Sequence, residues 1–199
     1  KNTFTIENNR RTQQTMQKHL RNGGAMKIKD LTQIALFTAL CAVCAWMTIP
    51  FGIPFTLQTF AVFLACLVLG GRKAAISTVV YLLLGAVGVP VFSGFRGGIG
   101  VLAGATGGYL VGFPVLCLVY ALLTRILKKT RAAKAVALVA GLLVLYLFGT
   151  VWYVLIYTGA QTVGFTAAAM KCVVPFILPD LVKMALAFLV GSRLKAFFR

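Results

Sequence analysis

Apolar residues in this chain fall into runs of roughly 16 to 24 residues separated by short polar breaks, the length at which an α-helix crosses a bilayer. The first predicted span runs from about Leu31 to Ile49, and Pro50, Gly52 and Pro54 break it. The second covers about Phe55 to Leu69 and stops at Gly70 and Gly71; the third, about Ala74 to Val89, stops at Pro90. A glycine-rich segment from Val91 to Gly108 follows, and the fourth span emerges from it and continues to about Leu127. The fifth covers about Ala135 to Tyr157 and the sixth about Pro175 to Leu194. Membrane barrel strands alternate polar and apolar positions with period two, whereas these runs are continuous. The expected fold is all-α, with about six transmembrane helices and a glycine-rich extracellular loop between the third and fourth. No internal repeat is evident.

Residues 1–25 are rich in Asn, Gln, Thr and Arg and carry no helical apolar stripe, so a disordered polar tail is expected. Met26, followed by Lys27 and Lys29, reads as a natural start, which makes the tail an alternative-start extension or an appended segment. The apolar run behind it is too long for a signal peptide and lacks a cleavage site. The six-helix domain is therefore placed at 26–199.

Composition agrees with the pattern: 60% of the 199 residues are hydrophobic and 12% charged, against roughly a quarter charged in soluble proteins. The net charge of +17 could suggest a nucleic-acid binder, since basic surfaces neutralise phosphates. Position excludes that reading, because the basic residues lie between or outside the apolar runs, where topology demands them. The N-terminal flank, Arg72 and Lys73, the group Arg125, Lys128, Lys129, Arg131 and Lys134, and the C-terminal Arg193, Lys195 and Arg199 share one side of a six-span arrangement. The other side has Arg96 and Lys171, with Lys183 just inside a span. The positive-inside rule then puts both termini in the cytoplasm.

The chemistry needed for catalysis is sparse. Glu7, Asp30 and Asp180 are the three acids, and the one histidine, His19, lies in the tail. No metal cluster or carboxylate pair can be assembled from them. There is no G-x-x-x-x-G-K-[ST] for ATP, Gly98 and Gly100 follow no strand, and Ser93 lacks a G-x-S-x-G setting. An enzyme is not expected, nor a cofactor. The five cysteines, Cys41, Cys44, Cys66, Cys117 and Cys172, are odd in number and lie in or beside apolar stretches. They indicate packing rather than a disulfide framework, the C-x-x-C at Cys41 and Cys44 included.

The remaining polar groups converge on the side opposite the basic loops: Gln58 opening the second span, Arg96 in the glycine-rich loop, Thr106 and Tyr109 opening the fourth span, Asp180 and Lys183 opening the sixth. Ionisable groups within spans are costly, face the protein interior and point to function. Asp180 and Lys183, three apart on one helix face, can neutralise each other; they fit either a structural ion bridge or part of a ligand site. The glycines at 94, 97, 98, 100, 104, 107 and 108 fit helix packing. Irregular backbone at membrane depth must nevertheless be buried or line a cavity. With Arg96 lying among Phe92, Phe95 and Tyr109, a pocket roof is the more economical reading.

The ordered segments Pro54-Phe-Thr-Leu-Gln-Thr59, Tyr81-Leu-Leu-Leu-Gly85, Gly88-Val-Pro-Val-Phe92, Gly97-Gly-Ile-Gly100, Gly104-Ala-Thr-Gly-Gly-Tyr109 and Pro179-Asp-Leu-Val-Lys183 together resemble the BioY family, biotin-binding S components of energy-coupling-factor (ECF) transporters. Ala105 stands where family members usually carry proline. The resemblance runs from about Met26 to the C-terminus. It implies capture of biotin from outside and association with a transmembrane coupling protein and two ATPases, which would supply the missing ATP chemistry. It also implies a substrate site drawn from Asp180, Lys183, Arg96, Gln58, Phe92 and Tyr109. Asp180 would accept from the ureido N–H groups, Lys183 would donate to the ring carbonyl, and Arg96 would hold the carboxylate. Ala35-Leu-Phe-Thr-Ala39 is similar to the small-residue face such subunits turn to the coupling protein; Ala35 and Ala39 suit packing within the monomer equally well. A subunit for another small vitamin, and a structural membrane subunit without a ligand, are the alternatives.

Overall fold

The computed structural model describes residues 27–49, 55–127, 130–157 and 164–194. The chain divides into two compact units, 1–32 and 33–199. The described part of the first is Lys27–Thr32, the opening of helix α1 (Ile28–Trp46), where Asp30 stands in the first turn, the end an acid favours. The expected tail over 1–25, Glu7, His19, Met26, the break at Pro50, Gly52 and Pro54, Lys128, Lys129, Lys195 and Arg199 lie outside the described residues. The rest of α1 and every later element belong to the second unit.

After α1 come a two-residue antiparallel ladder of β1 (Thr48–Ile49) and β2 (Phe55–Thr56), then α2 (Gln58–Leu69) and α3 (Gly71–Ala86). Next are the single turn α4 (Ile99–Leu102), α5 (Gly107–Ile126) and α6 (Arg131–Trp152), which continues as a π-helical turn, Tyr153–Tyr157; α7 (Phe165–Cys172) and α8 (Val174–Leu194) complete the chain order. Four of these helices, α1, α5, α6 with its continuation, and α8, are long and apolar enough to cross a membrane. Their outward faces carry exposed Leu36, Val43, Leu122, Leu143 and Leu189, an apolar surface that water does not favour.

The expected second and third spans are the 12-residue α2 and the 16-residue α3. Phe55 and Thr56 do not open α2 but pair with Ile49 and Thr48. A short apolar run does not distinguish strand from helix by periodicity. Two further short helices, α4 and α7, lie where loops were expected.

Helix α2 is the centre of the packing. Ala61 to Leu67 are all buried, and α3, α5 and α8 surround them. Cys66 Sγ lies 3.5 Å from Cys117 Sγ across the α2–α5 contact, and all five cysteines are buried and unbridged. Between α5 and α6 the approach is close because Gly149 has no side chain: a Cβ there would stand 2.3 Å from the Tyr109 ring. That gap lets Tyr109 lie against α6.

Candidate functional site

Asp180 and Lys183 lie one turn apart on α8 with 2% and 4% of their surface exposed, so their charges must be satisfied by protein. Lys183 Nζ donates to Asp180 Oδ1 at 2.8 Å. Thr59, in the first turn of α2, donates to the same oxygen at 2.8 Å and accepts from Lys183 Nζ at 3.1 Å. The other carboxylate oxygen, Oδ2, accepts from the Tyr146 hydroxyl of α6 at 2.6 Å. Lys183 Nζ also stands 4.1 Å above the Phe55 ring, a favourable seat for a cation. Three helices and one strand thus converge on a single buried ion pair.

A second polar chain begins one residue earlier. Gln58 Oε1 accepts from Thr56, and Gln58 Nε2 donates to the Tyr81 hydroxyl at 2.6 Å, which donates to Val91 O at 3.0 Å. Tyr81 thereby ties the start of α2 to the loop carrying Phe92 and Arg96. Phe92 meets Tyr81 edge-on and rests against Gly85, where any Cβ would collide with its ring. Phe92 and Arg96 bridge as a small hairpin, whose turn holds Phe95 at φ +56°, a region side chains other than glycine seldom enter. Surrounding contacts hold it there: Phe95 stacks on Trp46 at 5.0 Å, Trp46 Nε1 donates to Pro90 O at 2.9 Å, and the Thr48 and Ser93 hydroxyls are 3.0 Å apart.

Several of these groups line a common cavity that opens to the surface. Gln58, Phe92, Arg96, Tyr109, Asp180 and Lys183 all line it. The buried ion pair lies on one wall, and Arg96 is an exposed residue of the loop. Phe113, Leu145 and Phe176 supply apolar wall. A mostly apolar cavity with a few convergent polar groups is the usual form of a small-molecule site. Among the described residues no cluster of His, Cys, Asp or Glu could hold a metal ion. Ala35 and Ala39 are not among the residues that line the cavity and lie on the exposed face of α1.

The family model described as the BioY family matches residues 14–199. The chain belongs to the BioY family. It is 41% identical over 171 residues to "Probable biotin transporter BioY" of Pyrococcus horikoshii, covering 85% of this chain and 98% of that one. It is 42% identical over 172 residues to "Biotin transporter BioY" of Thermotoga maritima, covering 84% and 96%. The crystal structure of the S-component for biotin from an ECF-type ABC transporter superposes with a TM-score of 0.76, covering 86% of this chain and 95% of that one at 23% identity, a likeness of fold. This BioY-family chain is a multi-pass membrane protein.

Sequence reasoning left out Thr56, Thr59, Ser93 and Tyr146, which line the cavity, and Tyr81, which holds Gln58 from behind. Thr59 and Tyr81 stand in the very segments that carry the BioY resemblance, next to Gln58 and ahead of Gly85. Tyr146 is a polar residue well inside the fifth apolar run, a signal of the same kind as Asp180, but weaker because a phenol costs less to bury than a charge. Asp180 and Lys183 are hydrogen-bonded across helices and also line the cavity.

Proposed function

We propose that this chain captures biotin as the membrane-embedded substrate-binding subunit of an ECF-type vitamin transporter. The observation that carries this reading is a cavity in a BioY-family chain whose wall holds a buried carboxylate–ammonium pair and whose loop supplies a guanidinium. Biotin has matching groups: a ureido ring with N–H donors and a carbonyl acceptor, an apolar bicycle and tail, and a terminal carboxylate. Asp180 and Lys183 serve the ureido group, for which a desolvated charged pair gives strong, directional hydrogen bonds. Arg96 serves the carboxylate, which a planar guanidinium fits in bidentate fashion. Phe92 and Tyr109 cover the apolar part, and Gln58 holds the loop above it through Tyr81.

In this reading α2 and α3 join the four long helices to make six spans, and the positive-inside bias sets both termini in the cytoplasm with the cavity opening outside. ATP hydrolysis belongs to partners, because the sequence has no P-loop: a transmembrane coupling protein and two ATPase subunits. The coupling protein docks on the α1 face of Ala35 and Ala39, whose exposure favours an external contact over packing within the monomer.

Native mass spectrometry of the purified protein, followed by titration with a panel of vitamins, tests the function. A bound species of the mass of biotin and saturable binding of biotin alone are expected. Saturable binding of a different vitamin, or of none, overturns the proposal.

A further inference from the structure

Resting on the biotin reading, the hydrogen bonds around Asp180 limit what the ion pair can recognise. A carboxylate offers about four acceptor positions, two on each oxygen. Among the described residues, Lys183 and Thr59 take both positions on Oδ1, and Tyr146 takes one on Oδ2. One acceptor position remains, on Oδ2. Lys183 has three N–H donors and, among the described residues, gives two of them to Asp180 and Thr59, which leaves one that the Phe55 ring shares with a ligand. The cluster therefore presents a single acceptor beside a single donor.

The ureido ring matches this pair along one edge only. Its two N–H bonds flank the carbonyl and diverge, so an acceptor serving one lies on the opposite edge of the ring from an acceptor serving the other. Asp180 cannot accept both, which revises the pairing implied by the family resemblance. We infer that Asp180 and Lys183 read one N–H and the carbonyl of the ligand as a single donor–acceptor edge, and that Tyr146 is the positioning residue that aims the one remaining acceptor of Asp180 at that edge. Tyr146 suits the role. It lines the cavity, is buried, and is the protein donor on the oxygen that keeps the vacancy. Thr59 acts on the other oxygen and fixes the carboxylate from the opposite side.

The test is a thermodynamic cycle between variant and ligand. Two analogues of biotin are used, each with CH2 in place of one ureido N–H, and their affinities for the parent and for Tyr146→Phe are compared with those of biotin. Losing a positioned hydrogen bond to a charged group weakens binding on the order of tenfold. Tyr146→Phe is thus expected to weaken biotin and one analogue by about that factor, and to leave the other analogue unchanged, because that analogue lacks the N–H that Asp180 accepts. A general loss of cavity shape would weaken all three alike, and that result overturns the inference, as does an unchanged affinity for biotin. Should Tyr146→Phe fail to fold, Tyr146→Met, which removes the same hydroxyl, enters the same cycle with the same expected pattern. Absence of biotin binding by the parent would instead refute the functional reading itself.

Discussion

Replacing Lys183 by methionine removes the ammonium and leaves the Asp180 carboxylate buried with the hydroxyls of Thr59 and Tyr146 alone. Breaking one side of a buried ion pair costs about 3–5 kcal/mol, because the surviving charge has lost its compensation. For a chain of this length that corresponds to a fall in unfolding temperature on the order of 10 °C. Adding Asp180→Asn discharges the remaining carboxylate while keeping its shape and some of its bonds to Thr59 and Tyr146. Neutral replacements of buried pairs are frequently as stable as the pair, so the double variant should regain at least about half of the loss. Binding should behave differently. Charge-assisted hydrogen bonds contribute about 1.5–3 kcal/mol, so Lys183→Met, Asp180→Asn and the double variant should each bind biotin roughly tenfold to a hundredfold more weakly. Thermal unfolding in detergent, followed by intrinsic fluorescence, and calorimetric titration with biotin measure the two quantities separately. If the double variant recovers affinity together with stability, the pair is an ion bridge and nothing more.

Three further outcomes are expected. Ala35→Leu with Ala39→Leu should impair co-purification with the coupling protein while biotin affinity stays within about twofold, since bulky residues block close helix approach; loss of both would indicate packing within the monomer. Single cysteines at positions 96 and 171, in a background lacking the five native cysteines, should react with an impermeant maleimide on intact cells, whereas one at 131 should not; the reverse pattern inverts the topology. Gly149→Val should lower stability by about 1–3 kcal/mol through overpacking and weaken biotin binding as well, because the new side chain displaces the Tyr109 ring; unfolding and titration profiles like those of the parent would remove Tyr109 from the cavity wall.

The legible parts of this fold are those where an unfavourable transfer leaves a mark in the sequence. A carboxylate and an ammonium inside an apolar run cannot face lipid, and this alone directs attention to Asp180 and Lys183. The glycine-rich loop was readable as irregular backbone carrying Arg96, although Gly94 to Gly97 are exposed rather than covered. Tyr146 was not readable, because a tyrosine in a span carries no comparable penalty and its significance depends on which way one helix face turns. The ladder of Thr48–Ile49 with Phe55–Thr56 was missed because four residues of pairing leave no periodicity. The start of α2 moved from Phe55 to Gln58 for the same reason.

The length of α2 has a consequence for how this chain sits in its membrane. Twelve residues rise only about 18 Å, against a hydrocarbon thickness of about 30 Å. A lipid-facing helix so short would force the bilayer to thin around it. Because Ala61–Leu67 are enclosed by protein, lipid does not meet the shortfall. Instead, Gln58 and Thr59 at the N-terminal end of α2 line the cavity, so the space beyond the first turn of α2 is cavity rather than helix. On the proposed six-span reading, hydrophobic mismatch is thereby confined to the interior of the bundle, and the depth of the cavity is set by where one helix begins rather than by the thickness of the surrounding bilayer.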